Sequence, residues 1–63
     1  MRNKAREEII SHTKLYDDCR FIIFGINTGG GLEHYKCYTY LECNETISEM
    51  RHLGYKNIEK IKI

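Results

Sequence analysis

The chain has 63 residues, enough for one domain and no more. Ten lysines and arginines stand against nine aspartates and glutamates, a net charge of +1 that excludes an acidic mimic of DNA and a strongly positive duplex binder. A domain this small buries only about 60% of the surface its unfolded chain exposes, so a disulfide, a metal or a partner subunit is expected to make up the shortfall.

Ala5, Ile9, Ile10, Thr13 and Tyr16 recur at helical spacing and predict a helix from about Asn3 to Tyr16. Asp17-Asp18 then makes a short turn. The run from Cys19 to Ile26 is rich in aromatic and β-branched residues and predicts a strand. Phe21 and Ile23 lie on one face of it, and Ile22, Phe24 and Ile26 on the other. A strand apolar on both faces tends to sit centrally in its sheet. Asn27-Thr28-Gly29-Gly30-Gly31-Leu32-Glu33 reads as a flexible reversal. A second strand is predicted from about His34 to Cys43. Cys37, Thr39, Leu41 and Cys43 fall on one side of it, and Lys36, Tyr38, Tyr40 and Glu42 on the other.

The second helix is predicted to start near Asn44 or Thr46. Asn44 suits an N-cap, and Thr46-Ile47-Ser48-Glu49 fits a capping box. Ile47, Met50 and Leu53 form its buried side, Gly54 stops it, and Tyr55 packs back on Met50 as in a Schellman motif. Ile58 to Ile63 alternates apolar and charged residues and predicts a last strand. The fold class is therefore α+β in the order α-β-β-α-β, with a three-stranded sheet of order 2-1-3 packed against two helices. The crossover is expected to be right-handed. Both helices are expected on the face made by Phe21, Ile23, Cys37, Leu41, Ile61 and Ile63. The passage Leu53-Gly54-Tyr55-Lys56-Asn57-Ile58-Glu59-Lys60-Ile61 is similar to the helix–glycine–strand passage of ferredoxin-like and related small α+β domains. That resemblance covers about a sixth of the chain and implies fold, not function.

Motifs for chemistry are weak. Thr28-Gly29-Gly30-Gly31 follows a strand, but it leads into another strand rather than a helix N-terminus and lacks the Gly-Lys-Ser/Thr of a phosphate loop. His34, Cys37, Cys43 and His52 offer metal-ligand types, yet on a regular strand Cys37 and Cys43 would stand about 20 Å apart. Cys19, Cys37 and Cys43 are an odd set and read as free thiols acting as small apolar residues. An intermolecular disulfide and a metal site are the competing readings. With all three cysteines on predicted core positions, a cysteine–histidine catalytic pair is not expected. The adjacent carboxylates of Asp17-Asp18 read as solvated. The reading is of a protein that is not an enzyme and carries no cofactor or metal.

No apolar run approaches the roughly 20 residues a membrane helix needs, and no membrane partner is expected. The basic start through Arg2, Lys4 and Arg6 has no hydrophobic stretch behind it, so no signal peptide is expected and the location is read as cytoplasmic. Asn44-Glu45-Thr46 fits a glycosylation sequon and is read as a helix start.

The expected functional surface is the sheet face away from the helices. It carries Ile22, Phe24, Ile26, Tyr38 and Tyr40, with the loop Gly29, Gly30 and Gly31 as a secondary contact. The first reading is a module that binds a protein, either a second copy in a homodimer or a host protein. The wealth of Ile, Lys, Asn and Tyr without Trp or Pro looks like an AT-rich bacterial or phage reading frame, which implies a small modulator or inhibitor of a host protein. The alternative is single-stranded nucleic acid, its bases stacked on the aromatics and its phosphates met by Lys36, Lys60 and Lys62. No segment resembles the signature motifs of RNA-recognition-motif sheets.

Overall fold

A computed structural model describes residues 4–63, so Arg2 and the predicted helix start at Asn3 lie outside the described residues. Five elements follow one another: α1 (Lys4–Tyr16), β1 (Phe21–Ile26), β2 (Leu32–Cys37), α2 (Tyr40–His52) and β3 (Lys56–Lys62). The sheet order is β2-β1-β3, and β1 is antiparallel to both neighbours. The order of elements and the central place of β1 are as the sequence predicts. No helix among the described residues is long and apolar enough to cross a membrane.

The helices do not share a face. Phe21, Ile23 and Cys37 pack with Cys43 and Met50 of α2, and Ile47, Tyr55 and Ile58 close around them. Cys19, Ile22 and Phe24 form a separate cluster, covered by Ile9 and Ile10 of α1 and flanked by Leu32, Ile61 and Ile63. The expectation of both helices on one face is therefore corrected. β1 is apolar on both sides, and each side requires its own cover. Ile61 and Ile63 accordingly belong with Ile22 and Phe24 rather than with Phe21 and Ile23.

Strand β2 also stops earlier than the alternation predicts. Tyr38 and Thr39 bend the chain, and Thr39 is the N-cap of α2, with extended backbone and a hydroxyl that accepts from the Glu42 N–H at 3.1 Å. The Glu42 carboxylate accepts from the Tyr38 N–H in return, also at 3.1 Å. The working capping box is thus Thr39 to Glu42, not Thr46 to Glu49, and Asn44 lies inside the helix. At the other end the predicted Schellman motif forms. The Tyr55 N–H reaches the Met50 carbonyl at 3.0 Å and the Gly54 N–H reaches Arg51 at 3.1 Å, with Gly54 at φ +89°.

Two local devices finish the sheet. The β1–β3 register shifts between Phe24 and Ile26, and Asn57 takes φ +54° at this bulge. The hairpin reversal is fastened by Asn27, whose side-chain oxygen accepts from the N–H groups of Gly29 and Gly31, both at 2.9 Å. The segment read as flexible is thus a turn held by hydrogen bonds from its own first residue.

Candidate interaction surface

The structure separates the residues that the sequence placed on one face. Ile22 and Phe24 are 0% and 1% exposed beneath α1. Ile26 is half-buried beside the hairpin turn that holds Gly29, Gly30 and Gly31. Tyr38 and Tyr40 stand at the opposite end of the sheet, beyond Cys37, which pairs with Phe21. About 17 Å of strand separates the two ends. The single open apolar face expected from alternation is therefore corrected: a six-residue strand with a helix on each side leaves no such face.

The lysines divide likewise. Paired residues share a face, so Lys36 opposite Ile22 lies on the α1 side, while Lys60 opposite Ile23 and Lys62 opposite Phe21 lie on the α2 side. Lys36 donates to Asp17 Oδ2 at 2.6 Å, and this bond is the main reason its ammonium is held above the ordinary lysine range. Lys60 lies 5.3 Å from the centre of the Tyr40 ring and 5.7 Å from that of Phe21.

Exposed apolar side chains gather instead at the end where β1 begins and β2 finishes. Tyr38, Tyr40 and Leu41 sit on the bend and first turn of α2, and Leu15 and Tyr16 on the last turn of α1. The Phe21–Cys37 pairing brings the two segments to the same end, and the Lys36–Asp17 ion pair ties one to the other. Leu41 is 68% exposed and Tyr40 64%, although the Tyr40 ring still leans on Phe21 with centroids 5.0 Å apart. Strand alternation predicts Leu41 in the core and helical spacing puts Tyr16 on the apolar stripe of the first helix, and both are exposed. The signal that could have found Tyr40 and Leu41 is the Thr39-x-x-Glu42 box, which puts them on the first turn of a helix.

Other polar groups are arranged for structure. Glu33 accepts from Asn27 Nδ2, from Tyr55 at 2.7 Å and from Tyr35 at 2.9 Å. These bonds, that of Asn27 foremost, hold its carboxyl below the usual range, while Tyr35 and Glu33 raise the Tyr55 phenol. A solvent-open groove of ≈ 360 Å³ runs between α1 and β2, with Glu8, His12, His34 and Lys36 on its walls. Among the described residues no three His, Cys, Asp or Glu side chains are grouped to hold a metal ion. Burial, with Asp17 second, pushes the Cys19 thiol up.

Comparison with family models, curated proteins and solved structures finds no match to this chain.

Proposed function

We propose that the chain is a non-enzymatic protein-binding module that pairs with a second copy of itself through the Leu15, Tyr16, Tyr38, Tyr40 and Leu41 end. The observation that carries this reading is the concentration of exposed tyrosine and leucine on two segments held together at one end of the sheet. Tyrosine suits such a surface because it offers a large ring and a polar tip at low conformational cost. A second copy is favoured by charge. The same end carries Lys36, Lys60 and Lys62 beside Asp17, Asp18 and Glu42, so both signs are present for the reciprocal contacts of a two-fold interface. Self-association would also supply burial that so short a chain lacks. Nucleic acid is the weaker reading because the stacking platform it needs is covered by α1, and its three lysines lie on two faces.

Light scattering on a sizing column across a range of concentrations tests the proposal. The wild-type chain is expected to reach the mass of a dimer. Leu41→Glu is expected to stay monomeric with unchanged far-ultraviolet circular dichroism, since an acidic residue is well tolerated in a helix first turn. A wild-type chain that stays monomeric throughout overturns the self-pairing reading and directs the search to a foreign protein, by capture from host lysate with Leu41→Glu as control.

A further inference from the structure

Cys37 and Cys43 are not the distant pair that an unbroken strand would make them. The bend at Tyr38 and Thr39 ends β2, and the first turn of α2 folds Cys43 back onto the sheet beside Cys37. Both side chains are buried in one cluster with Phe21, Ile23 and Met50. Cys37 Sγ lies 3.6 Å from Thr46 Oγ1, three residues beyond Cys43 and so on the same face of α2. Cys37 is also, after burial, among the causes that raise the Cys43 thiol. Cys19 belongs to the other cluster, with Ile22 and Phe24 on the far side of the sheet.

We infer that Cys37 and Cys43 form a redox pair that closes a disulfide around Tyr38, Thr39, Tyr40, Leu41 and Glu42, with a low-molecular-weight disulfide as the oxidant. The chemistry is two exchanges. One protein thiol loses its proton, and its sulfur attacks the small disulfide, whose S–S bond breaks to release one small thiolate. The second protein thiolate then attacks the protein sulfur of the mixed disulfide and expels the other small thiolate. Two protein thiols are oxidised, one small disulfide is reduced, and the two protons end on the two small thiols.

Its consequence is regulation of the docking end, and this part rests on the reading given above. Three of the five enclosed residues, Tyr38, Tyr40 and Leu41, are exposed members of that surface. Closing a bond of about 2.05 Å between the two sulfurs shifts the first turn of α2 against β2, and Tyr40 and Leu41 ride on that turn. Burial, reinforced by Cys37, pushes the Cys43 thiol up, so reaction waits on an opening that admits the reagent. The opening assigned here is fraying of the α2 first turn, which the Thr39 cap restrains.

The test incubates wild type, Cys19→Ala and Thr39→Ala with oxidised glutathione in mildly alkaline buffer. Free thiols are then alkylated, and intact mass and linked peptides are read. The expected result is loss of two hydrogens with a Cys37–Cys43 link in wild type and Cys19→Ala, reached several-fold sooner in Thr39→Ala. Stable mixed glutathione adducts at both positions, a link through Cys19, or thiols still reduced in Thr39→Ala would each overturn the pair. Light scattering of the reduced and linked forms then separates the two readings. A changed monomer–dimer balance supports the regulation, and an unchanged dimer overturns it. A linked chain that is monomeric in both forms sinks self-pairing and leaves the redox pair standing.

Discussion

The terminal methyl of Met50 occupies the space above Gly25: a Cβ built on that glycine would lie 2.5 Å from Met50 Cε and 3.2 Å from the Tyr55 ring. This contact joins the C-terminal turn of α2 to the middle strand of the sheet, and the Schellman hydrogen bonds hold Met50 and Tyr55 in place above it. Gly25→Val is expected to cost about 1–3 kcal/mol by overpacking. Gly25→Ala costs less, because the end of the Met50 side chain can swing aside. Urea unfolding of the two variants checks the order, and a Gly25→Val protein as stable as wild type would refute it.

Phe24→Ala separates the two-core arrangement from an open sheet face. On an exposed face the change would spare the fold. In this structure Phe24 is enclosed by α1, with the Arg6 guanidinium 4.9 Å from its ring centre and Arg6 paired to Glu59. The expected loss is about 3–5 kcal/mol, comparable with the whole stability of roughly 3–9 kcal/mol for a chain of this length. Urea unfolding should show a variant destabilised by that amount, or unfolded outright where the wild-type stability lies at the low end. A Phe24→Ala protein as stable as wild type would mean that α1 does not cover this face.

The two candidate starts of α2 give opposite results on substitution. Thr39→Ala removes the hydroxyl that accepts from the Glu42 N–H and is expected to cost about 1 kcal/mol. Asn44→Ala places a better helix former at an exposed interior position and is expected to be neutral or slightly stabilising. Thermal melts of both variants decide the matter.

Acid weakens the cluster at the hairpin. The Glu33 carboxyl is held low by Asn27, Tyr55 and Tyr35, so the folded chain favours its ionised form more than the unfolded chain does. Its stabilisation is therefore present above the ordinary carboxylate range of about 4.3 and is lost as pH falls through the lowered folded value. Glu33→Gln should flatten that part of the stability–pH curve. A variant whose acid limb overlays wild type would exclude Glu33 as the contributor.

Periodicity and composition carried the order of elements, the central place of β1 and the C-terminal stop of α2, because each has a local cause. β1 lacks a polar face, and Gly54 supplies the positive φ that ends the helix. The boundary between β2 and α2 was hidden because Cys37-Tyr38-Thr39-Tyr40-Leu41 keeps strand alternation and strand-favouring residues while also opening a capping box. Tertiary packing chose the box, and with that choice Leu41 left the core and Cys43 entered it beside Cys37. The expectation that puts α1 on the same face as α2 fails because two apolar faces on one strand call for two covers. Of the expected contact residues, Tyr38 and Tyr40 are on the surface, and the Tyr40 ring packs on Phe21 of β1 rather than beside Phe24.

The pairing of β1 with β3 has a bearing on synthesis. β1 meets β2 across a five-residue turn, but its second edge waits for Lys56 to Lys62, made after α2. While the chain is being translated, the most apolar strand has one neighbour and an open edge, the condition in which a nascent chain recruits wrong partners. Slow passage of the ribosome through α2 would prolong that interval, and rapid completion of β3 would shorten it.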